Sequence, residues 1–490
     1  MMLLDGTTRL IASLLAADPV GAAAPVTGAA PAVPAPAAAT APAHTAMDLF
    51  HSYLPILTIA FVVTLLTTPL MRKLAIRHGV IDRPSEARKV HRVPIAYLGG
   101  VAVFLGILAG VAASYAGIGG IDDHYSGAPS SAPEFAMVPV SVLVGMLLIT
   151  LTGLIDDVTG LDPRLKISGQ LLAAAALAME DVGTKVAAQV LKPTLGAWLG
   201  NEQLQYAIHL PFSIPLQNPP TNVLVIDIIY WVGVAIIALF VLGACNASNL
   251  IDGLDGLLSG VTAISVSGLL IIALGLAAAD DGLVRGVANL DGARIVMCMA
   301  VIGACLGFLP HNFNPATIFL GDTGSLLLGY MTIVIVLMLG DTGKTDLVLA
   351  GLIVYAIPII DTTLAIVRRK MAGKSIGSAD DQHLHHQLKR ALGVKGAVLA
   401  LYGIGIVFAI LGVWLTMARL RVVLTISLMF AAFIGVTAVK IARRAALEAE
   451  AVALHGAKPA AGGPPPKPVS AAPEAKDARP ALSEPTVAKT

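Results

Sequence analysis

Cys245-Asn-Ala-Ser-Asn-Leu-Ile-Asp-Gly-Leu-Asp-Gly256 joins two long apolar segments, about 224–244 and 257–279. Each flank has the length of about 20 residues that crosses a bilayer core as a helix. Between them stand Asn246, Asn249, Asp252 and Asp255, with Gly253 and Gly256. A membrane-boundary loop gains no stability from two carboxylates and two carboxamides packed this tightly. Oxygen ligands of this kind suit a hard cation, and amides suit base or sugar recognition. The glycines let backbone approach a ligand closely. The competing reading is a polar connector whose Asn and Asp side chains make local turns. Two more acidic loops expected on the same membrane face favour a site.

The chain is 56% hydrophobic and 13% charged, where a soluble protein carries about 25% charged residues. Repeated apolar stretches make it an all-α polytopic membrane protein, with the lipid bilayer as its solvent. A net charge of +1 suggests no nucleic-acid partner. Cys245, Cys298 and Cys305 lie in or beside apolar segments, at spacings that give neither a disulfide framework nor a zinc site.

About eleven transmembrane helices are expected, near 54–71, 98–118, 137–155, 167–182, 224–244, 257–279, 295–310, 325–339, 347–367, 396–416 and 422–440. Basic clusters follow the first segment (Arg72, Lys73, Arg77, Arg83, Arg88, Lys89, Arg92) and the ninth (Arg368, Arg369, Lys370, Lys374, Lys389, Arg390, Lys395). The bias of basic residues to cytoplasmic loops then sets the N-terminus outside and the C-terminus in the cytoplasm. All acidic motif loops fall on the cytoplasmic side. Residues 1–46 read as a disordered Ala/Pro-rich extension, 47–444 as the transmembrane domain, and 445–490 as a disordered cytoplasmic tail. Met47 is a candidate start. Gln203–Leu210 alternates roughly, which predicts a short external hairpin.

Three further constellations carry chemistry. Asp156-Asp157 ends a span and is followed by Arg164 and Lys166. Adjacent carboxylates at a bilayer boundary are costly unless paired or bound to a cation, and the two bases are phosphate partners. The alternative is an ordinary charged helix end. Gly321-Asp322-Thr323-Gly324-Ser325 opens a span, placing a carboxylate beside small donors and a helix N-terminus. That arrangement could bind a cation and phosphate together, or simply cap the helix. His383-Leu-His385-His386 follows Asp380-Asp381 in the second basic loop. With cationic neighbours and no cysteine, anion binding is favoured over metal. Asp227 and Asp361 read as helix-end structure and site support rather than a proton pathway.

Taken in order and on one face, these motifs resemble the polyprenyl-phosphate N-acetylhexosamine-1-phosphate transferase family, glycosyltransferase family 4, over roughly 72–390. The residues carrying the resemblance are Asp82-Arg-Pro, Arg88-Lys-Val-His91, Pro94, Gly99-Gly100, Asp156-Asp157, Asn246 to Gly256, Asn312, Pro315-Ala, Gly321 to Ser325 and His383 to His386. The His-Leu-His-His form is similar to the WecA/TagO-like branch, which makes polyprenyl-diphosphate-GlcNAc. The branch that transfers phospho-MurNAc-pentapeptide usually has three consecutive histidines. Two positions depart from the family: Ala96-Tyr97, where it often has a second Pro and a base, and Asp381, where it often has a base.

The resemblance implies attack by polyprenyl (undecaprenyl) phosphate on the β-phosphate of a UDP-N-acetylhexosamine, with release of UMP. It implies Mg2+, with Mn2+ as a substitute, held by Asp322 and Asn249. Asp156 or Asp157 would hold or deprotonate the lipid phosphate. Asp252, Asn312 and Phe319 would hold the uridine, with Asn246 and Asp255 in the same substrate site. His383, His385, His386, Lys166 and Arg369 would hold phosphates and sugar. A bacterial plasma-membrane location with a cytoplasmic active site follows, and a homodimer is an option the family allows. The rival class is a secondary transporter, against which the acids sit in loops on one face and no clear repeat is visible.

Overall fold

The computed structural model describes residues 45–82, 94–119, 138–214, 221–279, 290–371, 373 and 383–456. The chain divides into two units, residues 1–440 and 441–490. In the second, residues 441–456 are helical. Residues 445–456, expected to be irregular, are rich in Ala, Glu and Leu, which favour helix. Most of the expected N-terminal extension and the tail beyond Gly456 lie outside the described residues, as do Asp380 and Asp381.

The first unit opens with α1 (Ala46–His78). Thr45 and Asp48 form a reciprocal capping box at its start, and Gly79 ends it in the left-handed conformation. Then come β1 (Ile81–Asp82), β2 (Ile95–Ala96), α2 (Gly99–Tyr115), α3 (Val140–Thr159) and α4 (Pro163–Met179). A short helical run, 188–199, leads to β3 (Gln205–Ile214) and β4 (Thr221–Asp227). These two pair antiparallel from Gln205↔Asp227 to Ile214↔Thr221, with an irregularity between His209 and Ile214. The expected hairpin is therefore present. Asp227 caps the next helix through the N–H of Tyr230, a helix-end role.

There follow α5 (Ile228–Ile251), α6 (Leu257–Ala279), α7 (Asp291–Asn312), α8 (Gly321–Leu339), α9 (Thr345–Val354), α10 (Ala356–Met371), α11 (Leu384–Leu415) and α12 (Leu420–Gly456). Among the described residues, eight helices are long and apolar enough to cross a membrane, or nine if α9 and α10 form one bent span. Helices α2 and α4 fall on two of the expected segments but have 17 residues each, about 25 Å of helix.

Helix α8 is the centre of the bundle. Every residue from Thr323 to Leu339 is buried, as expected for a helix apolar on all sides. It packs on α2, α3, α5 and α6. Its contact with α3 is backbone to backbone: a Cβ on Gly153 would stand 2.5 Å from the Thr323 Cα. That approach sets Asp156 and Asp157, one turn further along α3, against the start of α8. At the other end, buried Arg294 donates to the Met338 carbonyl through Nε (3.0 Å) and Nη2 (2.8 Å). A cation there complements the negative end of the helix dipole.

Helices α9 and α10 meet at 78°. Tyr355, at the break, shares a hydrogen bond with Ser248 and donates to the Ala244 carbonyl at 3.2 Å. The bend is thus pinned to α5, the helix that carries Asn246 and Asn249. The segment before α8 is fixed similarly. Ala96 and Ile318 form a parallel bridge, Phe319 N–H donates to Ala96 O at 2.9 Å, and Gly99 N–H donates to Phe319 O at 3.0 Å.

Candidate active site

The ends of α3, α5 and α7, the starts of α4, α8 and α11, and the loop 252–256 meet at one end of the bundle. At their centre, Lys166 lies between two acids. Its Nζ is 2.6 Å from Asp156 Oδ2 and is ion-paired with Asp322 Oδ2. Asn249 Nδ2 donates to Asp322 Oδ1 at 2.7 Å and to Ser325 Oγ at 3.0 Å. Asp156 Oδ1 accepts the Leu161 N–H at 2.7 Å. Four residues from four helices therefore converge, although Asp156 and Asp322 are 166 positions apart.

The adjacent acids do different things. Asp157 accepts the backbone N–H of Asp322 at 2.7 Å, and at Oδ2 the N–H and Oγ1–H of Thr323 at 2.9 and 2.6 Å. It is the cap of α8, supplied by another helix, and it satisfies donors that every helix N-terminus leaves open. Asp156 is the acid that faces Lys166 and the site.

The loop 252–256 is tied down at one acid and open at the other. Asp255 Oδ2 accepts from Asn314 Nδ2 (2.8 Å) and from the Ala316 N–H (3.0 Å). Asn312 is buried and braces the same loop: its Oδ1 accepts the Gly256 N–H and Ser259 Oγ–H, and its Nδ2 donates to Ile318 O. Asn312 and Asp255 thus hold the loop from behind. Asp252 is half-buried. Desolvation, with the nearby charges of Asp322, Asp157 and Asp255, pushes its carboxyl up to about 8. Asn246 Nδ2 donates to Gln170 Oε1 and to Leu242 O, both at 2.8 Å.

His385 joins this loop to the histidine motif. A Cβ on Gly253 would stand 2.6 Å from His385 Nε2, so a side chain there would collide with the ring. The rings of His385 and His386 have centroids 4.3 Å apart, and those of His383 and His385 stack at 5.3 Å. Phe319 packs its ring against Tyr97, with centroids 6.1 Å apart. Arg369 is buried in the last turn of α10, about two turns beyond Asp361.

Sequence reasoning did not single out Gln170; it named Ser325 only within the Gly321–Ser325 motif and Tyr97 only as a departure from the family pattern. Tyr97 is half-buried beside the acids: burial raises its phenol, reinforced by the charges of Asp82, Asp157, Asp322 and Asp252. Gln170 is a polar residue in an apolar helix whose role shows only through its partner Asn246 on α5; Ser325 closes the Gly321–Ser325 motif and accepts from Asn249.

Asp322, Asp156 and Asn249 form an oxygen-donor set, and Asp157 and Asp252 add negative charge around Lys166. This chemistry fits a hard divalent cation such as Mg2+. The same set, with Lys166, suits the joining of two phosphate anions.

Residues 139–340 match glycosyl transferase family 4. The chain is 32% identical over 361 residues to a Bacillus subtilis protein named "Probable undecaprenyl-phosphate N-acetylglucosaminyl 1-phosphate transferase", covering 72% of this chain and 82% of that one. It is 33% identical over 372 residues to the Mycolicibacterium smegmatis decaprenyl-phosphate N-acetylglucosaminephosphotransferase, covering 71% and 78%. With the Bacillus cytotoxicus phospho-N-acetylmuramoyl-pentapeptide-transferase it shares 36% identity over 177 residues, covering 36% and 49%. The chain belongs to glycosyl transferase family 4, as a multi-pass helical membrane protein.

Proposed function

We propose that this protein transfers GlcNAc-1-phosphate from UDP-GlcNAc to a polyprenyl phosphate, giving polyprenyl-diphosphate-GlcNAc and UMP. The observation that carries the reading is the convergence of Asp156, Lys166, Asn249 and Asp322 at one end of the bundle. The Bacillus subtilis and Mycolicibacterium smegmatis relatives, aligned over more than two thirds of their own length, are named for GlcNAc-1-phosphate transfer. The relative named for phospho-MurNAc-pentapeptide transfer aligns over about half of its own length, so that activity is the second reading.

In the reaction, an oxygen of the acceptor phosphate forms a bond to the β-phosphorus of the donor. The bond from that phosphorus to the bridging oxygen breaks, and UMP leaves with the oxygen. Asp322, Asn249 and Asp156 would hold Mg2+, which on binding neutralises diphosphate charge and polarises the phosphorus. Lys166 supplies a cation between the two acids, where two anions must be brought together. Asp157 fixes the start of α8 and so the direction of Asp322. Asp156 faces the acceptor; that phosphate is largely ionised at neutral pH, so proton removal is a minor part of its work. Asp252, Asn246, Phe319 and Tyr97 shape the nucleoside side, and the histidines with Arg369 the diphosphate and sugar side. Mn2+ would serve the same oxygen ligands.

Eleven spans with a cytoplasmic site in the bacterial plasma membrane complete the proposal. The basic clusters after the first and ninth segments support this sidedness. The test is UMP release by purified protein with Mg2+, undecaprenyl phosphate and a panel of UDP-sugars. Release with UDP-GlcNAc is expected. Release only with UDP-MurNAc-pentapeptide establishes the second reading. Solute movement across liposomes without UMP release makes the protein a transporter.

A further inference from the structure

We propose that Asp361 is a positioning residue of the donor site, holding His383 and His385 by their Nδ1 atoms so that both present Nε2 to the UDP-sugar. This rests on the reading of the histidines as donor-binding residues. Asp361 sits on α10 with 1% of its surface exposed, and His383 and His385 are buried to a similar degree. Its Oδ1 accepts the Leu384 N–H at 2.7 Å, which fixes the start of α11. Its Oδ2 lies 3.2 Å from Nδ1 of His383 and 3.2 Å from Nδ1 of His385.

One oxygen would suffice to anchor the helix start. The second oxygen serves the two imidazoles, and a carboxylate can only accept. Each Nδ1 therefore carries a hydrogen toward Asp361, and each ring has only Nε2 left for a ligand. For His385 that atom points at Gly253, in the loop between Asp252 and Asp255. The rings lie 20° from parallel, so both are oriented by one group. This is the arrangement by which an outer carboxylate fixes the tautomer and direction of a functional histidine. One ligand atom from each of Asp361, His383 and His385 lies within 4.8 Å of the others, close enough to share a metal ion; a metal held through Nδ1 would replace the hydrogens that the carboxylate accepts.

The test is a mutant cycle on the full-length protein in nanodiscs, reading UDP-GlcNAc binding by calorimetry, donor and acceptor KM, and the melting temperature. Asp361→Asn is expected to weaken donor binding and raise donor KM about tenfold, with acceptor KM unchanged. Asp361→Glu should recover part of the loss. In a His383→Ala/His385→Ala background, Asp361→Asn should add nothing. Full additivity with the histidine variants, or donor and acceptor KM rising together with a lowered melting temperature, overturns the proposal. So does stoichiometric metal in purified wild type that Asp361→Asn removes. Wild type that binds UDP-GlcNAc without releasing UMP defeats the transfer reading alone, and the binding cycle still decides Asp361. Wild type that binds no UDP-sugar overturns both.

Discussion

Asp157 caps the helix that carries Asp322, accepting the Asp322 N–H at 2.7 Å and the Thr323 N–H at 2.9 Å. Its neighbour Asp156 instead pairs with Lys166. Two adjacent carboxylates are thereby divided between structure and chemistry.

Asp157→Ala should lower both stability and turnover. The loss of a cap costs about 1–2 kcal/mol, and the start of α8 would drift with it. Asp156→Asn should lower turnover while leaving melting near wild type. Thermal unfolding in detergent, run beside UMP release, separates the two; equal melting losses would refute the division.

Asp322→Asn should abolish transfer in protein that still inserts into the membrane. Lys166→Ala should reduce turnover by about 100-fold or more, the scale of losing one preorganised electrostatic partner. Wild-type-like turnover by either variant at saturating Mg2+ would remove that residue from the chemistry.

Gly253→Ala should displace His385, because the added Cβ meets Nε2 at 2.6 Å. The loop is exposed at this position, so the ring rather than the fold should yield. Donor KM should rise roughly ten- to hundredfold with melting nearly unchanged. An unaltered donor KM would show that His385 does not reach the donor from this position.

Asp252 predicts a pH dependence of stability in chelator, without substrate. Its folded carboxyl is pushed up to about 8, far above an unfolded aspartate at about 3.9. Between those values the folded state binds more protons, so this group's contribution is present at low pH and is lost as pH rises toward 8. Asp252→Asn should flatten that limb and melt higher than wild type at pH 8, while losing donor affinity. Parallel melting-versus-pH curves for the two proteins would rule this out.

Much of the bundle was legible in the sequence because the bilayer imposes it. Apolar runs of spanning length marked the helices, and each expected segment lies mainly on a helix or on the bent pair, although the fifth, expected from 224, begins on β4 and turns helical only at Ile228. Loops dense in acids and amides marked the site because such residues are costly at a membrane boundary without partners. The division of labour between Asp156 and Asp157 was not legible. It depends on Gly153 letting α3 touch α8, a contact between segments some 170 positions apart. The Asp361–histidine network was invisible for the same reason: Asp361 reads as one acid in an apolar run until α11 is folded against it. The break at Tyr355 does carry a sequence signal, Pro358, which has no N–H to donate to the Val354 carbonyl; the expected single segment 347–367 ran through it, and the bend is held by Ser248 and Ala244 on another helix.

Helix α8 is clamped at both ends, by Asp157 at its start and by Arg294 at the Met338 carbonyl. Between the clamps it is sheathed in protein and cannot slide. The rod therefore acts as a ruler, and the depth of Asp322 is counted in residues from Met338. Adding or deleting one residue would shift the acid by about 1.5 Å and turn it by about 100°, away from Lys166 and Asn249. The length of this span is thus under tighter restraint than its composition, since many apolar side chains can line a rod but only one residue count places its tip.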